Sequence, residues 1–359
     1  MKISFIVPSR NNLKYLKWMY DSVRKNQGNH DVQICVADDA STDGTWEWCM
    51  DLMDHDHNFI AIKNQGPDRL GLVILNDRLI NEVAKYDICM VFHADMYLMP
   101  GAIDQIEHKL KENTIVSLTR IEPSLHPPGP EKMLFDCGME PEEFEEQKLL
   151  DWFKDIQLNQ LTKCTEGIFA PWAFYKKDFQ EIGGHDVIFA PQSKEDSDIF
   201  NRFQLNGIKF IQTWGGCVYH LTCRGSRFNT FSGGAPGQDS EEWLHTTTSN
   251  MKKFIKKWGT PVQHDAFMKP IISPVYKKKI IINNSNPKIE EALDIWHNGG
   301  EDIIIEVDGN RFDNEDYRHI QNMNSIIKGS GEIGEFQLGN LKVTINSLET
   351  YEKELICVS

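Results

Sequence analysis

The sequence predicts an α/β protein: a mostly parallel sheet flanked by helices, with a small C-terminal α/β domain. Three observations lead there. Short all-apolar runs alternate with segments of helical spacing from Ile3 to Thr119, the connections are short, and polar residues gather directly after the apolar runs. Strands apolar on both faces need helices over both faces, and strand–helix alternation makes neighbouring strands parallel.

Ile3 to Val7 reads as the first strand, and Leu13, Leu16, Trp18, Met19 and Val23 then recur with roughly helical spacing up to Gly28. "VQICVA" is the second strand and ends at Asp38-Asp39; Ser41 to Asp43 cap a helix carrying Trp46, Cys49, Met50 and Met53. "NFIAIK" is the third strand, followed by the loop "NQGPDRLG" and a helix from about Leu72 to Ala84. "ICMVF" is the fourth, stopping abruptly at His93-Ala94-Asp95. A helix with Ile103, Ile106 and Leu110 follows Pro100-Gly101, and "TIVSLT" returns as a strand.

From Ser124 to Pro130 the chain is proline-rich and then acidic, which predicts an excursion over the sheet. Ile168 to His220 contains Gly183-Gly184, a helix from near Ser193 and the strand-like "IKFIQTW". "CRGSRFNTFSGGAPGQDSEE" reads as a long mobile loop with two arginines, and "IISPVYKKK" as a linker. "KIIINN", the helical "PKIEEALDIWHNG", "DIIIEVDG", "LKVTI" and "LICVS" then form a small separate unit. The expected domains are 1–258, divided near residue 120, a linker over 259–275, and a small α/β domain over 276–359.

A formal net charge of −15 argues against general nucleic-acid binding, because a polyanion would be repelled without a compensating basic face. No apolar run approaches the ~20 residues of a membrane span, and no signal-peptide pattern opens the chain. The eight cysteines lie far apart, several inside apolar runs (Cys35, Cys89, Cys357), which predicts buried thiols in a reducing, cytoplasmic setting. "CVYHLTC" lacks a second Cys/His pair to complete a structural zinc site, and "DHDHN" reads as an exposed turn.

In sheets of this kind, function sits at the carboxyl ends of the strands. Pro8 to Asn12, Asp38-Asp39, Gln65 to Arg69 and His93 to Asp95 all fall there. Asp39, Ser41 and Asp43 also fit turn and cap positions for the helix near Gly44. Farther along, Ile199, Phe200 and Phe203 form a buried helical stripe, and Asp196 continues it on the inward side. A carboxylate in that place points into a site; the competing reading is that Ser193, Glu195, Asp196 and Asp198 only decorate a helix N-terminus.

The motif order "FIVPSRNN", "VADDASTDGTWE", "FHADMYLMPGAI" and "FQEIGGHDVIFAPQSKEDSDIFNRFQLNGIKF" resembles family 2 glycosyltransferases, over Met1 to about Trp258. The resemblance implies a Rossmann-like GT-A fold and an inverting transfer of one sugar from a nucleotide-diphosphate sugar, a UDP-sugar by default, to a hydroxyl acceptor such as a glycan. Asp95 then matches the second carboxylate of the family's Asp-x-Asp metal motif, and His93 replaces the first. His93 is either a ligand that favours Mn²⁺ over Mg²⁺ or a contact to the donor's ribose or sugar. His220 falls where such enzymes place a histidine on metal or pyrophosphate. Pro8, Arg10, Asp38, Asp39 (the favoured one of the pair), Arg69 and Ala94 fall in the donor site, and Arg224 and Arg227 reach the diphosphate from their loop. Asp196, with Glu195 beside it, is the base for the acceptor hydroxyl. Trp172 is either a wall for the acceptor sugar or a core residue.

The "QxxRW" signature of processive synthases is absent, which points to single additions by a soluble enzyme. The rivals are a sugar nucleotidyltransferase, disfavoured because "VPSRNNLKYL" lacks the glycines of a triphosphate loop, and an inactive nucleotide- or glycan-binding module. For the C-terminal unit, homodimer formation, acceptor binding and holding the loop stay open.

Overall fold

The computed structural model describes residues 1–224, 227–258 apart from 229, 231–232 and 236, 261–272, and four later strands. The helix expected over 287–299 and the strand expected over 355–359 lie outside the described residues.

In chain order the elements are β1 (Lys2–Ser9), α1 (Leu13–Asn26), β2 (Asp31–Asp38), α2 (Thr45–His55), β3 (Phe59–Lys63), α3 (Gly71–Arg78, continued as a π turn Leu79–Val83) and β4 (Ile88–Val91). Then come β5 (Met96–Leu98), α4 (Ala102–Lys109), β6 (Thr114–Glu122), β7 (Lys132–Leu134), α5 (Glu146–Gln160), β8 (Cys164–Thr165) and β9 (Trp172–Tyr175). After them follow α6 (Lys176–Glu181), α7 (Glu195–Leu205), β10 (Lys209–His220) and α8 (Glu241–Trp258). The later strands are β11 (Lys278–Ile282), β12 (Ile303–Val307), β13 (Gly334–Leu338) and β14 (Leu341–Ile345).

The main sheet runs β3-β2-β1-β4-β9-β6-β10-β5, with β7 beside β6 and β8 beside β10. The β3-β2-β1-β4 half is parallel throughout, as the apolar runs separated by helices require. β9 is antiparallel to β4 and β6, and β5 and β8 are antiparallel to β10, so the sheet is mixed in its second half. β5 is an element that the sequence reading passes over. Three residues of "MYL" carry no periodicity, yet they pair Met96 with His220 and so bring the end of β10 beside β4's exit. Leu16, Met19 and Val23 of α1 join the main core, and Leu149 and Phe153 of α5 pack with Tyr97, Ile121 and Tyr219 in a second cluster that Tyr15 and Trp18 of α1 also border.

The chain divides into two compact units, one of residues 1–203, 207–246 and 264–270, the other of 204–206, 247–263 and 271–359. In the second, β11 pairs parallel with β12 and β13 antiparallel with β14. Among the described residues no disulfide forms, and Cys35 and Cys89 are buried thiols. Cys217 packs in the core rather than joining His220 and Cys223 in a metal cluster.

Candidate active site

The carboxyl ends of β1, β4, β6 and β10 open on one cavity of about 420 Å³. Its centre is set by two chain segments. Phe92 donates its N–H to Ile6 O as β4 leaves the sheet, and Met96 turns back onto His93 O. Because β5 then pairs with β10, His93, Asp95 and His220 converge, with one ligand atom from each lying within 4.8 Å of the others.

Each member is held differently. Asp95 Oδ2 accepts the Arg224 N–H at 2.9 Å, leaving Oδ1 3.6 Å from His220 Nε2. The other nitrogen of His220, Nδ1, sits 3.0 Å from Glu122 Oε1. Glu122 is fully buried and also accepts Arg120 Nη1 and Lys132 Nζ, each at 2.9 Å. The His93 ring makes no hydrogen bond among the described residues, and its centroid is 6.2 Å from that of His220. The turn after β10 puts Thr222 and Cys223 at φ 72° and 59°. A left-handed β-branched residue is costly, and here the turn returns the Arg224 amide to Asp95.

The electrostatics follow from burial against these partners. Burial disfavours a charged Asp95, yet His220, His93 and the Arg224 N–H hold its carboxyl well below the usual range. Glu122 is likewise held low against its burial, by His220, Arg120 and Lys132. Burial would lower His220, but Asp95 and Glu122 push it up to about 9. His93 is lowered, chiefly by burial. Opposite charge is the winning effect for the first three, and desolvation for the last.

On the β1–β3 side, Asp39 accepts N–H groups from Leu70 at 2.9 Å and Gly71 at 2.8 Å, and the Asn64 amide at 2.8 Å. Gly71 is required there: φ is +82°, and a Cβ would lie 2.2 Å from Pro191 O. Arg69 donates to Gln192 and Glu242, each at 2.5 Å. Arg10 lines the cavity and makes no hydrogen bond or ion pair among the described residues; its Nη1 is buried without a partner. Pro8 and Ala94 line the same cavity. Asp38 does not line it: fully buried, it accepts the Ser41 N–H at 3.1 Å. Asp43 takes the cap role, accepting Thr45 N at 3.2 Å and Leu13 N at 2.9 Å.

Glu195 and Asp196 open α7 and line the cavity. Ile199, Phe200 and Phe203 are buried as the stripe requires. Glu195 is buried with Oε2 unpartnered, and both carboxyls are raised chiefly by burial. For Glu195 the adjacent Asp196 adds to the rise, while His93 and His185 oppose it at Asp196. Asp198 is buried against Arg202 Nε at 2.8 Å, so it does more than decorate a helix end.

The open alternative at Trp172 is resolved, and the expectation for Arg224, like that for Asp38, is corrected. Trp172 is fully buried, with Phe200 and Phe203 edge-on to its ring, and cannot wall a sugar. Arg224 does not reach the cavity from a mobile loop; it is 2% exposed, its Nη2 donates to Met139 O at 2.9 Å and its Nε lies 3.3 Å from Glu140. Arg227 does line the cavity, paired with Asp239. The sequence reading missed Arg120, Glu122, Asn76 and Phe169. Two charges spaced i, i+2 at the end of "TIVSLTRIE" were the available signal for the first two.

A sequence model of the family described as "Glycosyl transferase family 2" matches residues 4–183. The curated abequosyltransferase RfbV of Salmonella typhimurium is 36% identical over 101 residues, 26% of this chain and 28% of its own. Among solved structures, GalNAc-T7 with UDP, GalNAc and Mn²⁺ is similar with TM-score 0.45 and 12% identity, covering 61% of this chain and 44% of the other. The mannosyltransferase PcManGT from Pyrobaculum calidifontis, with GDP-Man and Mn²⁺, gives TM-score 0.44 and 14% identity over 61% and 56%. The chain thus spans less than two thirds of each of these relatives. No described helix is long and apolar enough to cross a membrane. With half of its length matched by the family's own sequence model, the chain belongs to glycosyl transferase family 2.

Proposed function

We propose that the protein is a metal-dependent, inverting glycosyltransferase that moves one sugar from a nucleotide-diphosphate sugar to a hydroxyl acceptor. The observation that carries this reading is the convergence of His93, Asp95 and His220 within 4.8 Å in the same cavity as Arg10, Glu195 and Asp196.

The donor set fits a divalent cation: one anionic oxygen, two imidazoles, and a buried carboxylate on the far nitrogen of His220 to orient its ring. Two nitrogens suit Mn²⁺ better than Mg²⁺. When bound, such an ion supplies Lewis-acid stabilisation of the charge on the departing diphosphate. Arg10, without an acceptor of its own, donates to the donor's phosphates. Asp196 takes the acceptor hydroxyl's proton as that oxygen attacks the anomeric carbon, and one displacement inverts the configuration. Burial raises its pKa, which makes it the stronger base, and burial raises Glu195 beside it as well.

The test is a thermal-shift screen of UDP, GDP, CDP and dTDP with and without Mn²⁺, then hydrolysis of the corresponding nucleotide sugar. Stabilisation that needs both ligands, with turnover abolished in Asp95→Ala, is the expected result. Absence of metal-dependent turnover with every nucleotide sugar sinks the proposal.

A further inference from the structure

The strand order separates two ends of the cavity. β1 and β2 lie on one side of β4, and β9 and β6 lie on the other. Pro8, Arg10 and Asp39 belong to the first side; Arg120, at the end of β6, and Phe169, just before β9, belong to the second. Arg120 is only 8% exposed, and its guanidinium carbon stands 3.9 Å from the centre of the Phe169 ring. Nη1 donates to Glu122 at 2.9 Å. Nη2 lies 3.7 Å from Glu131, an ion pair too long for a hydrogen bond. Nε and Nη2 therefore make no hydrogen bond among the described residues, although the side chain lines the cavity.

Glu122 divides its carboxylate among Arg120, Lys132 and His220, and Glu131 reaches Arg120 only at 3.7 Å, so the Nε and Nη2 edge keeps N–H groups for a further acceptor. A planar fork with free N–H groups, stacked on an aromatic ring and held rigid, matches a carboxylate or phosphate geometrically. The Phe169 ring beneath it lines the same cavity and adds apolar surface to this end.

We propose that Arg120 on Phe169 forms an acceptor subsite that takes an anionic group, a carboxylate or a phosphate, carried by the acceptor sugar. This rests on reading the cavity as a transferase site, with the donor held toward β1. A neutral acceptor would leave the Arg120 donors facing only hydroxyl groups, which give weaker hydrogen bonds than an anion.

The experiment uses the full chain with Mn²⁺ and whichever of the four nucleoside diphosphates binds, or with none if none does. Calorimetry or ligand-observed NMR then compares methyl glucuronide and glucose 6-phosphate with methyl glucoside. The expected result is about tenfold or tighter binding of a charged probe over the neutral one, the scale of one charge-assisted hydrogen bond. Glucuronide preference names a carboxylate, and glucose 6-phosphate preference a phosphate. In Arg120→Met the preference disappears, while methyl glucoside binding shows that the protein is folded; in Arg120→Lys it is only partly restored, because the fork is lost. Equal affinity for charged and neutral probes, or no binding of any, overturns the subsite. So does Arg120→Met weakening nucleotide binding while leaving the charge preference intact, since Arg120 would then serve the donor's phosphates. Failure of nucleotide and Mn²⁺ binding with the charged preference retained overturns the transferase reading instead and leaves the subsite standing.

Discussion

Replacing Glu122 by glutamine tests the centre of the site without touching a residue that meets substrate. Glu122 is fully buried, and its two oxygens accept Arg120 and Lys132 at 2.9 Å and face His220 Nδ1 at 3.0 Å. Arg120 and Lys132 are themselves 9% and 6% exposed as side chains, so solvent does not rescue them once the carboxylate is gone. Breaking a buried pair by removing one partner costs about 3–5 kcal/mol. At about 2.1 cal/mol/K of unfolding entropy per residue, the 359 residues make that a drop in Tm of roughly 4–7 °C. The sign with pH is fixed by the depressed carboxyl. Its contribution is full above the unfolded-state value of about 4.3 and is lost as pH falls through the lower folded value. The gap between wild type and Glu122→Gln should be full at pH 7 and begin to narrow only below about pH 4. The same change removes the carboxylate that orients His220, so Mn²⁺ affinity should fall about 10- to 100-fold. Thermal denaturation against pH and Mn²⁺ titration measure the two effects. A Tm change under about 2 °C together with unchanged Mn²⁺ affinity refutes the claim that this carboxylate holds the site.

Three further outcomes follow from other parts of the structure. Asp196→Asn should lower kcat by about 10²- to 10⁴-fold. In the wild type the acid limb of kcat/KM should lie above the usual aspartate value of about 3.9, because burial raises Asp196 and protonation removes the base; a limb at or below that value contradicts the assignment. Trp172→Ala should destabilise by about 3–5 kcal/mol and leave the acceptor KM unchanged, since the ring is core and not sugar wall; a selective rise in that KM would reinstate the sugar wall. Mn²⁺ binding at neutral pH should release close to one proton, because His220 sits at about 9 before it can ligate. Calorimetry in two buffers of different ionisation enthalpy reads this directly, and zero release removes His220 from the ligand set.

How far the site is legible in the sequence depends on where each residue obtains its partner. Arg10, Asp39 and Asp95 are legible because each follows an apolar run, and a parallel sheet gathers strand ends whatever their sequence separation. Asp38 and Asp39 are neighbours, but alternation sends successive side chains to opposite faces, so one lines the cavity and the other is sealed on Ser41. Arg120 and Glu122 are not legible in this way. A strand reading "TIVSLTRIE" is expected to stop at Thr119, because a buried charge is prohibitive unless paired. The pairing comes from Lys132, ten residues on, and His220, at a separation of 98, which no local periodicity contains. Arg224 fails for a different reason: its backbone N–H, not its guanidinium, serves Asp95, and a main-chain donor leaves no trace in residue type. The same reasoning narrows the question that His93 raises. His220 is locked from behind by Glu122, and Asp95 by the Arg224 amide, so both ligand atoms are aimed before any ion arrives. The His93 ring makes no hydrogen bond among the described residues, so it is the member not held from behind. Losing Asp95 or His220 should therefore abolish metal binding, whereas losing His93 should weaken it and shift the choice from Mn²⁺ toward Mg²⁺ as an imidazole leaves the donor set.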